Sequence, residues 1–282
     1  MKIKKILNNN VVISENEYSE EVIVMGRGIA FQKQIGDLLL EELIDKVFVS
    51  DSTKETLEIE KLITQAGPDI IEIAKEIILL AEERIGHEYS EKAYLSLTDH
   101  LFYATERMKE GISIPNPLIV EIKKFYSQEY AIGVTGCQMV RDRLNIDFQD
   151  DEAGFIALHL ANHIANTENM TLTIESTEIM RDILRIISRY FGIVFDEDSL
   201  SYQRMMTHIQ YFAQRILKDE IQEEPDEFLY ALIQGKYPAA FNCSLRIREY
   251  LETSKSITVQ DAEVIYLVIH IHRVIEQHKK RK

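Results

Sequence analysis

The sequence predicts a multidomain protein in which a small antiparallel β domain is followed by two homologous all-α helical-bundle domains. Three observations support this fold class. Short β-branched runs separated by polar turns fill the first 50 residues. Beyond Asp69, apolar residues follow the spacing of amphipathic helices. Within that helical part, a motif in which a glutamate precedes a histidine by seven residues occurs twice, which indicates an internal repeat.

The first 50 residues contain four segments with strand character, at residues 3–7, 11–13, 22–25 and 47–49. A run of asparagines offers a turn after the first segment, and Gly26-Arg27-Gly28 ends the third. A domain of fewer than about 55 residues has a thin core. We therefore expect this domain to dimerise.

The segment from Ser50 to Pro68 is polar and charged, and we interpret it as a linker that is helical only in part. Each half of the remaining chain is then expected to form five helices. The expected helices lie near residues 69–81, 90–109, 117–126, 131–144 and 150–159, and near 174–190, 197–218, 226–234, 239–252 and 259–278. The short polar stretch 166–171 separates the two sets. The predicted domains are residues 1–56, 65–170 and 171–282.

Four histidines belong to the repeat. His100 precedes an arginine by seven residues, as does His208, while His159 and His270 each follow a glutamate by seven. Seven residues are close to two helical turns, so the two members of each motif share a helix face. A spacing of 108 residues separates His100 from His208, and 111 separate His159 from His270. These near-equal offsets indicate a duplicated unit of about 110 residues.

A lone histidine on an amphipathic helix is most often structural, and we keep that interpretation for the four without counterparts, His87, His163, His272 and His278. Duplication could also preserve a packing histidine, so the structural alternative stays open for the other four. If the helices are neighbours, however, each repeat would combine histidines with an arginine and a glutamate on matching faces. The arginines and glutamates are Arg107, Arg215, Glu152 and Glu263. Such a group supplies a titratable nucleophile beside a cation and an acceptor.

Enzyme, metal and membrane functions find little support. His159 and His163 have the spacing of a zinc pair, but the H-E-x-x-H motif and a third ligand are missing, and no cofactor-binding or catalytic motif occurs. Cys137 and Cys243 fit buried packing in a reducing cytoplasm better than a disulfide or a metal site. The most apolar helical run is interrupted by charges, and the N-terminus lacks a signal-peptide core. We expect no catalytic residue, no metal and no membrane insertion.

The formal net charge of −15 argues against a nucleic-acid-binding surface over the whole protein. Residues 1–36 differ, since five basic and four acidic side chains leave a charge of +1. On charge alone a solvated β surface is the favoured interpretation. Residue type allows another: Asn8, Asn10 and Gln32 suit base edges, while Arg27 suits phosphate or guanine. Phe31 suits base stacking, and Gly26 and Gly28 permit close backbone approach.

Seven segments resemble bacterial transcriptional antiterminators of the sugar phosphotransferase system, of the β-glucoside-operon type. Three of these segments are similar to the co-antiterminator RNA-binding domain of that family: MKIKKILNNNVV, VMGRGIAFQK and KVF. The other four resemble its two phosphotransferase-regulated domains. SLTDH and DEAGFIALH resemble the first domain, and THIQYFAQR and EVIYLVIHIHRV resemble the second. The resemblance covers essentially the whole chain.

The resemblance implies an antiterminator that binds a leader-mRNA hairpin and thereby prevents formation of a terminator. It implies RNA contacts by Lys5, Asn8, Asn10, Gly26, Arg27, Gly28, Phe31 and Gln32. It also implies phosphorylation of His100 and His159 through a sugar-specific enzyme II permease, which inhibits. Phosphorylation of His208 and His270 by the histidine phosphocarrier protein would activate. The expected assembly is a cytoplasmic homodimer.

Two other functions use the same residues. A phosphohistidine-transferring enzyme would need the histidines but not the β domain. A DNA-binding activator would need a helix-turn-helix, whereas residues 1–50 are predicted to be strands. We therefore favour a non-enzymatic RNA-binding regulator.

Overall fold

The β-branched runs at the start of the chain form a four-stranded antiparallel sheet, as predicted. The structure is a computed structural model, and it describes residues 1–16, 20–49, 53–164, 169–218 and 227–281. The strands are β1 (Lys2–Asn8), β2 (Val11–Glu15), β3 (Glu21–Met25) and β4 (Lys46–Val49), in the order β1-β2-β3-β4. The β2–β3 register is regular, while two irregularities interrupt the β1–β2 register. The predicted turn near Glu17 lies partly outside the described residues.

Both faces of this sheet are buried, because its apolar residues alternate between two clusters. Val12, Val22 and Val24 pack under the loop between β3 and β4, against Ile29 and Leu39. The opposite face carries residues that belong to the cluster of the adjoining helices. These are Val11, Ile13, Ile23 and Met25. Helical residues therefore supply the core that 50 residues of strand cannot build alone.

The helix α1 (Thr53–Ile85) covers that second face. Ile59 and Ile63 are buried on it, in the same cluster as the sheet residues. Gly67 has φ +75 and ψ 169, which divides α1 into two helical segments, and Pro68 follows at the start of the second. The predicted linker is helical from Thr53 onward, and Gly67-Pro68, where the sequence places its end, marks a break between two helical segments. Residues 50–52 lie outside the described residues.

The first compact unit, Met1–Asn166, contains the sheet and five helices among the residues that the structure describes. After α1 come α2 (Glu91–Lys109), α3 (Ile119–Phe125), α4 (Ser127–Leu144) and α5 (Asp150–Ile164). Ser90 caps α2 by accepting a hydrogen bond from the Ala93 N–H, and α5 starts with three acidic residues that favour a helix N-terminus. We call helices α1–α5 the first bundle.

The second compact unit, Thr167–Lys282, repeats this arrangement without a sheet in its described part. Its helices are α6 (Met170–Phe191), α7 (Leu200–Leu217), α8 (Glu227–Lys236), α9 (Pro238–Ser254) and α10 (Asp261–Arg281). Asn169 and Ser199 cap α6 and α7, and Gly192 ends α6 in the left-handed conformation. Residues 166–168 of the predicted second boundary lie outside the described residues. We call α6–α10 the second bundle.

Within the described residues, none of the helices combines the length and the apolar character that a membrane span requires. The same residues contain no cluster of three or more His, Cys, Asp or Glu side chains that could hold a metal ion. Cys137 and Cys243 are free and buried, and burial raises the pKa of each thiol to about 12.

Close packing of α4 on α5 depends on Gly133, because a β-carbon there would lie 2.3 Å from the carbonyl oxygen of Ala153. We expect Gly133→Ala to destabilise the first bundle by about 1–3 kcal/mol through backbone displacement. Calorimetric unfolding of the full chain measures this effect. Gly235→Ala, on α8 with open space around it, is the matched control and should be neutral or slightly stabilising. Equal stability of the two variants would contradict the close approach of α4 and α5.

Candidate functional sites

The first bundle brings its two repeated histidines into contact. His100 lies on α2 and His159 on α5, and their ring centroids are 4.7 Å apart at an interplanar angle of 37°. The sequence placed each histidine on a helix face, and the packing of α2 against α5 joins the two faces. Phe155, one turn before His159, lies 6.0 Å from the His100 ring. We call His100 and His159 the first histidine pair.

A buried carboxylate accompanies the first pair. The side chain of Glu152 is only 4% exposed, and its Oε1 accepts a hydrogen bond of 3.2 Å from Nη2 of Arg107. Its Oε2 lies 3.3 Å from Nε2 of His100, a polar contact whose angles fall short of a well-aligned hydrogen bond. Burial alone would raise the pKa of Glu152, but His100 and Arg107 more than offset it, so the pKa lies below its ordinary value. The carboxylate is therefore charged at neutral pH.

His159 has a different partner. Its Nδ1 shares a hydrogen bond of 3.0 Å with the hydroxyl of Ser96, which lies on α2 one turn before His100. Burial, together with the nearby His100 and His163, holds the pKa of His159 well below its ordinary value. The ring is therefore neutral at physiological pH, and a neutral imidazole retains the nitrogen lone pair that a nucleophile needs.

The second bundle also joins its two histidines, and more tightly. His208 on α7 stacks on His270 of α10 with a centroid distance of 3.6 Å and an interplanar angle of 23°. Nδ1 of His208 shares a 2.7 Å hydrogen bond with the hydroxyl of Tyr266, one turn before His270. Burial is the largest cause that lowers the pKa of both rings, and it acts with the neighbouring His208 and Arg273 to bring the pKa of His270 to about 4. We call His208 and His270 the second histidine pair.

The glutamate of the second bundle is fully engaged by arginine. Nε and Nη2 of Arg215 each donate a 2.8 Å hydrogen bond to one carboxylate oxygen of Glu263, whose side chain is 5% exposed. The guanidinium carbon also lies 4.6 Å from the centre of the Tyr266 ring. A two-pronged ion pair of this kind is geometrically specific. It leaves Glu263 satisfied by arginine, whereas Glu152 also meets a histidine.

Three exchanges distinguish the two sites, and the sequence reasoning did not single them out. Under the 108-residue offset, Ser96 corresponds to Arg204. Under the 111-residue offset, Phe155 corresponds to Tyr266 and Asn162 to Arg273. The sequence does contain a clue to the two hydroxyl-bearing residues, because Ser96 and Tyr266 each precede a histidine by four residues and so share its helix face. Which of them reaches a ring across the interface is visible only in the packed structure.

The histidines without counterparts lie outside the two pairs. His87 packs edge-on against Tyr89, with ring centroids 5.2 Å apart, and His272 packs on Tyr237 at 4.0 Å. His163 lies near enough to His159 to affect its pKa. These aromatic contacts fit the structural role that the sequence analysis assigned to His87 and His272.

The residues that resemble RNA contacts gather around two adjoining turns of the sheet. Oδ1 of Asn8 accepts a 2.8 Å hydrogen bond from the backbone N–H of Asn10, and Oδ1 of Asn10 accepts one of 2.8 Å from the N–H of Gly28. The N–H of Gly26 donates to the Asn10 carbonyl at 2.9 Å. These bonds tie the β1–β2 turn to the segment after β3. The asparagines therefore shape this surface in addition to lying on it.

The glycines and the aromatic residue have distinct roles here. A β-carbon on Gly26 would lie 1.7 Å from the Leu43 carbonyl oxygen, so the close approach is to the protein's own backbone. This backbone contact is a physical reason for glycine at position 26 that does not depend on a ligand. Gly28 and Gln32 have φ of +67 and +56, which turns the chain sharply. Phe31, between them, is 62% exposed.

The basic residues of this surface face the acidic helix α1. Nζ of Lys5 lies 2.5 Å from Oε1 of Glu60. Arg27 is exposed and lines a cavity of about 470 Å³ with Asn10 and Gly26. The opposite wall of that cavity belongs mainly to α1 and includes three carboxylates, those of Glu72, Glu76 and Glu82. This surface therefore combines amide, aromatic and basic groups, a set suited to base edges, stacking and phosphate.

Comparisons with known proteins identify two kinds of domain in this chain. The family described as CAT RNA binding domain matches residues 1–57, and the PRD domain family matches residues 75–163 and 181–274. The chain is 39% identical to "Transcription antiterminator LicT" of Bacillus subtilis (strain 168), over 98% of this chain and 100% of that protein. It is 37% identical to "Beta-glucoside operon antiterminator" of Dickeya chrysanthemi, over 97% and 96%. The structure titled "Crystal structure of GlcT CAT-PRDI" superposes with a TM-score of 0.51 at 31% identity, covering 57% of this chain and 96% of that one.

The lowered pKa of His270 predicts a pH-dependent stability of the second bundle. Because the unfolded ring binds a proton near pH 6.5 and the folded ring only near pH 4, protonation favours the unfolded state between these values. The free energy of unfolding should therefore fall as pH drops from about 6.5 to 4. Urea unfolding at several pH values measures this, and His270→Gln should reduce the loss. His272→Gln, on the same helix outside the pair, is the control. If both variants reduced the loss of stability at low pH equally, the assignment of that loss to His270 would be contradicted.

Proposed function

Because this chain belongs to the family of transcription antiterminators that join a CAT RNA-binding domain to PRD domains, we propose that phosphorylation of its histidine pairs controls its binding to RNA. The chain is an RNA-binding transcriptional antiterminator. Its target is a hairpin in a leader mRNA, and binding prevents a competing terminator from forming. The operon encodes the use of a sugar, a β-glucoside by analogy with the name of one relative.

The observation that carries this proposal is the recurrence of a histidine pair beside a buried glutamate–arginine contact. In both bundles two imidazole rings lie within 5 Å of each other, with a carboxylate and a guanidinium in the same helix interface. A phosphoryl group adds roughly two negative charges and several acceptor oxygens to such a site. Its addition must change the balance of charge at a contact between two helices. Such a change is a means of regulation that requires no catalytic turnover.

The charges of the two bundles support opposite responses. In the first bundle a phosphoryl group on His100 would lie near Glu152, which is held by a single hydrogen bond from Arg107. Repulsion would then weaken the contact between α2 and α5. In the second bundle Glu263 is neutralised by Arg215, and Arg273 adds a further positive charge near both rings. Phosphorylation there would be stabilised, so the first bundle is the inhibitory input and the second the activating one.

We assign the phosphoryl donors by the same reasoning and by family resemblance. The sugar-specific enzyme II permease acts through His100 and His159, and the histidine phosphocarrier protein acts through His208 and His270. The protein works as a cytoplasmic homodimer, in which two β domains present a doubled surface to one hairpin. A symmetric pair suits this purpose, because the net charge of a single β domain is small. The histidines then serve as regulatory marks and not as intermediates of an enzyme.

RNA contact is expected through Lys5, Asn8, Asn10, Gly26, Arg27, Gly28, Phe31 and Gln32. The exposed ring of Phe31 suits stacking on an unpaired base, and Arg27 suits a guanine edge or a phosphate. The ion pair between Lys5 and Glu60 must open before Lys5 can meet a phosphate. The amides of Asn8 and Asn10 contribute by holding the two turns and through their remaining NH2 groups.

Replacement of Arg27 tests the RNA surface. We expect Arg27→Ala in the full chain to weaken binding of the leader hairpin by about 1–3 kcal/mol, measured by gel shift at moderate salt. Lys4→Ala is the matched control, because it removes one positive charge from the same sheet where Lys4 pairs with Glu15. Duplex DNA of the same sequence should bind neither the unmodified chain nor the two variants. Equal weakening of RNA binding by both substitutions would mean that Arg27 contributes only general positive charge and makes no specific contact with the hairpin.

Mimics of phosphorylation test the opposite responses of the two bundles. In a reporter with the leader upstream, His100→Asp or His159→Asp should lower transcriptional read-through, because each adds negative charge to the histidine pair, in which His100 lies against Glu152. His208→Asp or His270→Asp should raise read-through or remove its dependence on the phosphocarrier. His87→Asp, outside both pairs, should leave read-through at the level of the unmodified chain. Unchanged reporter activity in all four pair variants would end the proposal of control by phosphorylation.

A further inference from the structure

We infer that Tyr94 and Lys46 are the coupling residues through which helix α2, which carries His100, acts on the RNA-contact turn at Arg27. This inference rests on the proposed control by phosphorylation and adds the contact that transmits it. Tyr94 lies on α2 six residues before His100, and Lys46 begins strand β4. Helix α1 packs on the sheet without carrying a histidine of the pair. Where Tyr94 meets Lys46, the histidine helix itself reaches the sheet.

Tyr94 and His100 move together, because α2 is one continuous helix of 19 residues. A separation of six residues corresponds to about 9 Å along the helix axis. Tyr94 is only 3% exposed, so its ring cannot shift without displacing the atoms packed around it. Repulsion that moves α2 at the contact between His100 and Glu152 is therefore passed on to the partners of Tyr94.

Tyr94 contacts both the bundle and the sheet. Its hydroxyl donates a buried hydrogen bond of 2.9 Å to the carbonyl oxygen of Ile71, which lies in the first turn of α1 after the break at Gly67. Nζ of Lys46 lies 6.0 Å from the centre of its ring, at the outer limit of a cation–π contact. The hydroxyl therefore ties α2 to α1, and the ring meets a cation that the sheet supplies.

The start of β4 connects this contact to the RNA-contact turn. Nζ of Lys75 on α1 pairs with Oδ2 of Asp45, the residue before Lys46. The backbone N–H of Asp45 donates a 2.8 Å hydrogen bond to the carbonyl of Met25, and Lys46 is the register partner of Met25 in the β3–β4 ladder. Met25 immediately precedes the turn that carries Arg27. A displacement of Lys46 thus reaches this turn through a single pair of strand residues.

Open space adjoins the contact and allows this turn to move. Tyr94 and Lys46 line the cavity of about 470 Å³ to whose wall Arg27 and Asn10 also belong. A close-packed interior would resist a change in the position of the turn, whereas a cavity leaves room for one. The RNA-contact side chains can therefore respond to a displacement of Lys46.

The second repeat separates the packing role of this tyrosine from its coupling role. At the 108-residue offset, Tyr94 corresponds to Tyr202, in a bundle that has no sheet in its described part. Tyr202 is also buried, so an aromatic ring at this position belongs to the shared helical scaffold. The first bundle adds Lys46 from the sheet. A tyrosine that only packs would affect stability but not the response of RNA binding to a charge at His100.

A double-mutant cycle on RNA binding tests the coupling. The dissociation constant of the full chain for the leader hairpin is measured by gel shift with and without His100→Asp, in the unmodified chain and in the Tyr94→Phe and Lys46→Met variants. We expect His100→Asp to weaken binding by about 5–150-fold in the unmodified chain. In each of the two variants this factor should shrink by about threefold or more. Direct effects of Tyr94→Phe or Lys46→Met on RNA binding cancel in the ratio.

Two matched controls should leave the factor unchanged: Tyr103→Phe, at an exposed tyrosine of α2, and Lys2→Met, at an exposed lysine of β1. Lys46 is only partly buried, so Lys46→Met keeps the test valid if Tyr94→Phe destabilises the fold. A residue whose variant keeps the full factor has no part in the coupling. If both variants keep it, or the controls reduce it equally, the inference is overturned while the proposed function stands. If His100→Asp does not weaken hairpin binding in the unmodified chain, the proposed function fails first.

Discussion

The burial of one carboxylate in each helical bundle is the constraint on which both histidine sites depend. A carboxylate that is 4% or 5% exposed loses most of its hydration, and such a loss costs several kcal/mol unless a cation replaces the water. Arg107 and Arg215 supply that cation from the neighbouring helix. The ion pair thereby fixes which faces of the two helices meet. Because each histidine lies two turns from its arginine or glutamate on the same face, the contact that neutralises the carboxylate also brings the rings together.

The two bundles share this scaffold but differ in the charges and hydroxyls around it. Glu152 meets both a histidine and an arginine, whereas Glu263 is held by two parallel bonds from Arg215. Arg273 adds a positive charge to the second pair where the first repeat has Asn162. A duplicated fold therefore need not give duplicated chemistry. A few polar exchanges in the helix interface are enough to give the two histidine pairs different surrounding charges.

Helix α1 links the first histidine pair to the β domain through packing. Ile59 and Ile63 cover one face of the sheet, and later residues of the same helix, such as Ile73 and Ile77, lie in the bundle core. All belong to one continuous hydrophobic cluster. Because interiors are close-packed, a shift of α1 cannot leave the sheet face unchanged. The pairing of Lys5 with Glu60 places an RNA-contact candidate at the same junction, so charge, packing and the proposed RNA surface meet on one helix.

The sequence by itself determined the strand and helix pattern, the duplication and the four recurring histidines, because periodicity and repeated spacing are properties of the chain. It did not identify the face that residues 53–66 of α1 bury against the sheet, because the polar composition of this segment concealed it, although it did mark the break at Gly67-Pro68. It also could not identify Ser96 and Tyr266 as ring partners, or show that Gly26 is required by the Leu43 carbonyl. Those features are contacts between segments distant in sequence. Only the packing of one helix or loop on another brings such atoms within hydrogen-bonding or van der Waals distance.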